Sequence, residues 1–250
     1  MLQKYFSKNR KLPYKILSIF PNFIYENLLK EIMDVGRNFR TINSHIKKNN
    51  ITLVLDVGAN MGHYSEGIRM FGYEKKIVAF EPINRLYVLL DEKFENDKKV
   101  KVYNLALGNE KKELEINIAS NNGSSSSILK PKLVKKEFKN ISFNKKETIK
   151  IQKLDNIINE FSNSKDNIYL KLDVQGFEKN VIEGSLKTLN RIKIIQLETS
   201  TIQLYEGENT IDEIISYMYK KKFVLIDIIG SLKNNKGQLI QTDLIFLNKK

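Results

Sequence analysis

The chain has no cysteine, so disulfides, thiolate metal sites and cysteine nucleophiles are excluded, and a reducing compartment is its natural setting. It also lacks any apolar run near the roughly 18 residues that a membrane-spanning helix requires. Its N-terminal stretch, MLQKYFSKNRKLPYKILSIF, is broken by lysine and proline where a secretory leader would carry an apolar core. Together these absences predict a soluble, cytoplasmic protein.

What is present suffices for a sizeable core: 250 residues, 41% of them hydrophobic, fit one large α/β domain or two small ones and exclude disorder over most of the length. The net charge of +13 is unevenly placed, because residues 1–50 hold 10 basic and 3 acidic side chains, residues 130–150 hold 8 and 2, and the rest is neutral. The basicity therefore belongs to two segments and does not define the whole surface.

From residue 51 onward, short β-branched runs at 51–57, 77–80, 100–105, 168–172 and 192–197 alternate with amphipathic stretches. That is the pattern of parallel strands joined by crossover helices, and the near-continuous hydrophobicity predicts strands buried on both faces. The helical stretches carry Tyr64, Ile68 and Phe71, then Leu86, Leu89 and Leu90, then Val181, Ile182, Ser185, Leu186 and Leu189. Runs at 223–229 and 239–247 are joined by SLKNNKGQ, too short for a crossover helix, and predict an antiparallel hairpin. Residues 1–50 read as a basic helical cap of two or three short helices broken at Pro13 and Pro21, with an apolar set of Ile24, Leu28, Leu29 and Ile32. Residues 51–250 form the main domain. Within it, residues 107–150 read as an insertion: Leu114, Ile116 and Ile118 alternate as a strand, NNGSSSS is a flexible polar turn, and a lysine-rich stretch follows with Phe138 and Phe143 interleaved. No internal repeat is apparent.

The most informative segment is LVLDVGANMGHYS, a strand leading to Asp56, then Gly58, Asn60 and Gly62 before a helix. Glycine in such a turn lets the backbone pass close to a ligand at the carboxyl edge of a sheet. The spacing is neither the dinucleotide fingerprint nor a P-loop. An acidic residue just ahead of a G-x-N-x-G turn favours a ligand with cationic character over a phosphate, and S-adenosylmethionine, with its ammonium and sulfonium, suits it. The next strand ends in AFEP, where Glu81 can accept hydrogen bonds from both hydroxyls of a ribose. The strands of YLKLD and IKIIQLE deliver Asp173 and Glu198 to the same edge. Each acid alone could be a solvated strand end or a helix cap. Their convergence beside a glycine turn instead points to a site, since close like charges cost stability unless something offsets them.

In this order, DVGANMGHYS, AFEP, NLALGN, LKLDVQGFEKNVIEG and IIQLE resemble the FkbM-type methyltransferases over about residues 51 to 247. The resemblance implies a Rossmann-like fold with a seven-stranded, mostly parallel sheet, a C-terminal antiparallel hairpin, and S-adenosyl-L-methionine as cofactor. It also implies that Asp56, Gly58, Asn60 and Gly62 line the methionine side, that Glu81 holds the ribose, and that Ala106 and Leu107 lie near the adenine. Asp173 would face the methyl group. One departure stands out: the family pattern usually reads Asp-Val-Glu-Gly where this chain has Asp-Val-Gln-Gly, so Gln175 keeps the size of the side chain and loses its charge.

A hydroxyl acceptor benefits from a base, and the candidates near the edge are Asp173, Glu198 and His63, with His63 equally readable as a partly exposed helix residue. No regularly spaced carboxylate and His set indicates a metal. The family's association with sugars and polyketide hydroxyls suggests a small-molecule or glycan acceptor, in anionic, nucleotide-linked or lipid-linked form if the lysine-rich insertion recruits it. The competing expectations are RNA methylation and a binding protein without catalysis. Against the former stand the missing Asn/Asp-Pro-Pro-aromatic motif and the missing cysteine. The basic N-terminal segment would cap the sheet, touch an anionic membrane surface, or support a homo-oligomer.

Overall fold

A computed structural model describes residues 22–138 and 140–249, with side chains from residue 33 onward. The chain divides into two compact units, residues 1–38 and 39–250. In the first, the described residues are helical throughout and begin α1 (Asn22–Lys48). Of the segment expected to hold two or three short helices, the described part, from residue 22, is one helix of 27 residues. The reason is local: its span contains no proline, and Gly36 in its interior costs only about 1 kcal/mol. Pro13 and Pro21, and the side chains of Ile24, Leu28, Leu29 and Ile32, lie outside what is described.

The second unit opens with the last turns of α1. They end where Asn50 takes a left-handed φ of 49° and Ile51 N–H donates to the Ile46 carbonyl at 3.0 Å, a closure that satisfies the final carbonyls and turns the chain toward the first strand. The succession is then β1 (Leu53–Val57), α2 (His63–Met70), β2 (Lys76–Phe80), α3 (Asn84–Phe94), β3 (Val100–Tyr103), β4 (Ala106–Leu107), β5 (Lys112–Ile118), α4 (Val134–Glu137), β6 (Lys145–Gln152), α5 (Leu154–Ile157), β7 (Ile168–Leu172), α6 (Glu178–Glu183), β8 (Ile192–Ser200), α7 (Ile211–Lys220), β9 (Phe223–Lys233) and β10 (Leu239–Asn248).

Seven strands form one sheet in the order β3-β2-β1-β7-β8-β10-β9. The first five are parallel and β10 runs antiparallel to both β8 and β9, as the short connection between the last two runs required. The chain winds outward from β1 through β2 to β3, then returns to β7 on the other side of β1. The β1/β7 boundary is therefore the topological switch point, where open α/β sheets leave a crevice at the carboxyl ends of their strands.

Alternation along the strands builds two dry layers. One face presents Leu53, Leu55, Val57, Leu170, Leu172 and Leu197; the other presents Val54, Ile77, Tyr169, Ile194 and Ile245, covered by Ile42 and Ile46 of α1 and Ile68 of α2. Toward the carboxyl ends of the parallel strands that second face becomes polar: Asp56 lies beside Lys171, Lys171 beside Gln196, and Glu198 beside Asp243.

The insertion is more ordered than its composition suggested. Residues 145–152 of the lysine-rich stretch form β6, which pairs antiparallel with β5 and parallel with β4, making a second sheet of three strands. Ile149 and Ile151 alternate inward between exposed lysines, a period-2 signal hidden by the charge. Phe138 and Phe143, both partly buried, pack onto a small cluster with Val134, Leu204, Tyr205 and Ile240, and Lys135 Nζ lies 5.8 Å from the Phe143 ring centroid. The NNGSSSS turn is tied down as well: Gly123 N–H donates to the Ala119 carbonyl at 3.1 Å, and Ser126 Oγ accepts Ala119 N–H at 3.0 Å. Among the described residues no helix is long and apolar enough to cross a membrane.

Candidate active site

A cavity opens at the β1/β7 switch point, where the turns after β1 and β2 meet the end of β7. Its walls differ in chemistry. Ile83, Leu105, Ala106, Leu107 and Phe177 make an apolar slot, whereas Asn60, His63, Glu81, Lys171, Asp173 and Gln175 bring polar groups to it.

The β1–α2 turn forms one rim. Gly58 N–H and Ala59 N–H both donate to the Phe80 carbonyl at 3.0 Å, which folds the turn over the end of β2. Gly58 has φ +77°, and a Cβ there would sit 1.9 Å from the Asp173 carbonyl oxygen, so the first and fourth parallel strands approach as closely as only glycine permits. Asn60 also has a left-handed backbone, with φ 49°; its side chain accepts Met61 N–H at 2.7 Å and reaches the Asn122 carbonyl at 3.3 Å. That contact brings the NNGSSSS turn onto the cavity, where Gly123, Ser124 and Ser126 join the lining.

Glu81 holds both rims together. One carboxyl oxygen accepts Asn60 N–H at 2.8 Å and the other accepts Ile83 N–H at 2.9 Å. Burial pushes its pKa up to about 7 against the opposing pull of those two hydrogen bonds. Burial, reinforced by the charge of Lys93, lowers the His63 pKa below its ordinary value, which favours the neutral imidazole at the cavity wall.

Not all the expected site residues meet here. Asp56 is fully buried and one residue short of the strand end; it accepts Ser65 Oγ–H at 2.7 Å and lies 3.5 Å from Lys171 Nζ. It sits outside the cavity lining, on the same face of the sheet as Lys171, and ties α2 and Lys171 to β1. Gly62, with φ +78°, also stands outside the lining; a Cβ there would strike Leu90 and Phe94 of α3. Glu198 was expected at a strand end, but β8 continues two residues further because β10 keeps pairing with it as far as Ser200. It consequently lies behind Gln175, whose Nε2 donates to it, and it also accepts from Gln241 Nε2 at 3.1 Å. Gly58, Asn60, His63, Glu81, Ala106, Leu107 and Asp173 all line the cavity.

Sequence reasoning missed Lys171, Gln196, Gln241 and Asp243. Each is a polar residue inside an otherwise apolar strand, which was the available signal. Lys171 is 7% exposed, with Nζ 3.3 Å from Asp173 Oδ2, and it lies 5.3 Å from the Tyr64 ring centroid. Gln196 Oε1 accepts the hydroxyls of Tyr169 at 2.8 Å and Tyr64 at 3.1 Å. Burial, then the charges of Asp173 and Asp243, push Glu198 well above the carboxylate range; Asp243 rises to about 6, and Glu178, buried in α6, to about 8. Among the described residues no group of three or more acidic or His side chains is placed to hold a metal ion.

These raised acids have a measurable consequence. An acid whose pKa is higher folded than unfolded keeps a proton that the unfolded chain has already lost, so stability falls as pH rises from the unfolded value through the folded one. For Asp243, Glu81 and Glu178 that window spans the ordinary carboxylate value to about 8. The ligand-free Tm should drop by about 5 °C or more between pH 5 and pH 8; a Tm that is flat or rises over that interval would contradict the buried-acid cluster.

Residues 56–225 match the family model described as methyltransferase FkbM domain. A 2-O-methyltransferase, NoeI, from Sinorhizobium fredii (strain NBRC 101917 / NGR234) is 26% identical over 163 residues, covering 62% of this chain and 66% of that protein. The match thus spans just under two thirds of the length of that curated relative. Among solved structures, magnesium protoporphyrin IX methyltransferase from Synechocystis PCC 6803 with bound SAM aligns with a TM-score of 0.49 at 8% identity, covering 92% of this chain and 86% of that one. TrmK of M. capricolum with S-adenosylhomocysteine aligns at 0.47 and 8%, covering 85% and 68%.

Proposed function

The chain belongs to the FkbM methyltransferase family, and from that premise we propose that it transfers a methyl group from S-adenosyl-L-methionine to a hydroxyl of a sugar or surface-glycan precursor. The observation that carries this reading is the division of one cavity between Glu81 beside an apolar slot and Asp173 beside Lys171.

The residues present suit the cofactor. Glu81 Oε1 and Oε2 each hold one backbone N–H and retain a lone pair for a ribose hydroxyl. Leu105, Ala106, Leu107 and Phe177 offer apolar surface of the kind an adenine ring requires, and the Gly58 turn leaves backbone, not side chain, against the amino-acid end. When bound, the cofactor supplies a sulfonium-activated methyl group. The protein then has to align the acceptor oxygen and take its proton as the new C–O bond forms and the C–S bond breaks. Asp173 is the favoured acceptor of that proton, because its carboxylate is 35% exposed on the cavity side. His63, neutral at the same wall, is the second candidate. Glu198 supports the wall from behind Gln175, and Asp56 organises it from beneath. The relative from Sinorhizobium fredii is a 2-O-methyltransferase, which supports oxygen as the methylated atom. Exposed Lys130, Lys132, Lys135 and Lys136 of the insertion favour an acceptor that carries an anionic group away from the reacting hydroxyl.

The cofactor arrangement predicts a pH dependence. Ribose hydroxyls bind the ionised Glu81, whose pKa is about 7 when free, so affinity is full above that value and declines below it. Calorimetric titration with S-adenosylhomocysteine should show Kd rising about tenfold from pH 8 to pH 6 in the wild type. Glu81→Gln should bind weakly with little pH dependence; an equally steep dependence in that variant would remove Glu81 from the role. The acceptor is tested by incubating the protein and methyl-labelled S-adenosylmethionine with a surface-glycan extract or with total RNA. Label in the glycan supports the reading, and label in RNA alone replaces it with RNA methylation.

A further inference from the structure

We propose that Gln175 is a positioning residue, an amide clamp that fixes Asp173 for the incoming hydroxyl and requires an amide, not a carboxylate, at this position. The inference rests on Asp173 as the proton acceptor proposed above, and it concerns a side chain that the reaction itself does not consume.

Gln175 follows the end of β7 with a left-handed φ of 53°. Glu178 Oε1 accepts Val174 N–H at 3.0 Å and Gly176 N–H at 3.3 Å, which closes the turn and folds the Gln175 side chain back over the strand ends. There Nε2 donates to Asp173 Oδ1 at 2.9 Å and to Glu198 Oε2, while Oε1 lies 3.0 Å from the Tyr205 hydroxyl, whose single proton it shares with the Ser125 carbonyl at 2.8 Å. Ser127 Oγ, from the insertion, donates to the Gln175 carbonyl at 2.7 Å. Asp173 sets the amide's orientation: flipped, the amide oxygen would face its carboxylate.

This arrangement leaves Asp173 gripped from both sides, by Gln175 on Oδ1 and by Lys171 on Oδ2. Its rotation is restricted, and each oxygen keeps a lone pair for a hydroxyl at the cavity. The Gln175 clamp joins three parts of the fold: the central strands through Asp173 and Glu198, the insertion through Ser127, and the loop after β8 through Tyr205. A glutamate at 175 would remove both donated hydrogen bonds and add a carboxylate between two others. The charged and titratable groups facing it would be Asp173 and Lys171 from β7, Glu198 from β8, Asp243 from β10, Glu178 from α6, and Tyr205 from the β8–α7 loop; Glu208, on that loop, packs against Gly176. Only when protonated could a glutamate donate one of the lost bonds.

The test compares Gln175→Glu with Gln175→Met, which keeps the length and has neither donor nor charge. S-adenosylhomocysteine Kd should stay within about threefold of wild type in both variants, since the clamp lies on the acceptor side. At pH 8, transfer of label from S-adenosylmethionine into surface-glycan extract should fall at least about tenfold in both. At pH 6 the deficit of Gln175→Glu relative to wild type should shrink several-fold, whereas that of Gln175→Met should not change. Merely structural damage would give the same pH-independent deficit in both variants, and that result, or full activity of Gln175→Glu at pH 8, overturns the clamp. An arm independent of the acceptor follows the Gln175 side-chain NH2 resonances in the free protein, assigned by their loss in the variants. The clamp predicts two strongly inequivalent protons that move with carboxyl titration, and a pair that ignores pH overturns it. Wild type that binds cofactor but labels no glycan counts against the acceptor reading, and the resonances still decide the clamp.

Discussion

Asp173→Asn should lower the rate of methyl transfer by about 10²- to 10⁴-fold, the range a positioned general base contributes, while S-adenosylhomocysteine affinity stays within about threefold. The substitution is nearly isosteric, and its amide oxygen can still accept from Lys171 or Gln175, so the surrounding wall retains one of its two grips. What is lost is the capacity to take a proton from the acceptor hydroxyl. The expectation is specific to turnover because the proposed function gives Asp173 to the acceptor and Glu81 with the apolar slot to the cofactor. Rates indistinguishable from wild type would pass the role of base to His63, which lines the same cavity.

The second large effect is expected from Gly58→Ala. Two penalties coincide at this position: a φ of +77°, and a Cβ placed 1.9 Å from the Asp173 carbonyl oxygen and 2.9 Å from its carbon. The conformation alone costs about 1–2 kcal/mol for a residue with a side chain. Relieving the clash means moving backbone, and the backbone in question carries Asp173 and Gln175. The combined destabilisation should be about 4 kcal/mol or more, a Tm loss of ~8–16 °C for a chain of this size, together with a loss of S-adenosylhomocysteine affinity of about 100-fold. Gly207→Ala separates the two penalties: its φ is +78° and nothing lies within 4 Å of the added Cβ, so it should show the conformational cost alone and normal cofactor affinity. Equal behaviour of the two variants would mean that the strand ends can part without consequence.

The parallel sheet was legible because β1, β2, β7 and β8 are largely apolar and buried, although β3, at the sheet edge, is not buried as expected, and the hairpin because SLKNNKGQ is too short for a crossover helix. Gly58, Asn60 and Glu81 were legible because a glycine turn and an acidic strand end leave local marks. The parts that escaped depend on relations between distant segments. Asp56 gave no sign that it would be buried one position before the strand end, held by Ser65 and Lys171 and outside the cavity lining. Glu198 looked terminal, because nothing in IIQLE reveals that β10 extends the pairing two residues further. Lysines concealed the inward Ile149 and Ile151 of β6, and the polar NNGSSSS turn gave no sign that Asn60 would draw it to the cavity. The clamp at Gln175 was visible only as a departure from a pattern; its meaning required the carboxyl groups on either side of it.

The central claim is transfer of a methyl group from S-adenosylmethionine to a hydroxyl positioned by Asp173. It is tested most directly by hydrolysing the labelled glycan product and analysing its sugars by mass spectrometry. The account predicts an O-methyl sugar formed by the wild type and reduced at least about 100-fold with Asp173→Asn. Label recovered on nitrogen or carbon, or an O-methyl sugar formed equally well by both proteins, would contradict it.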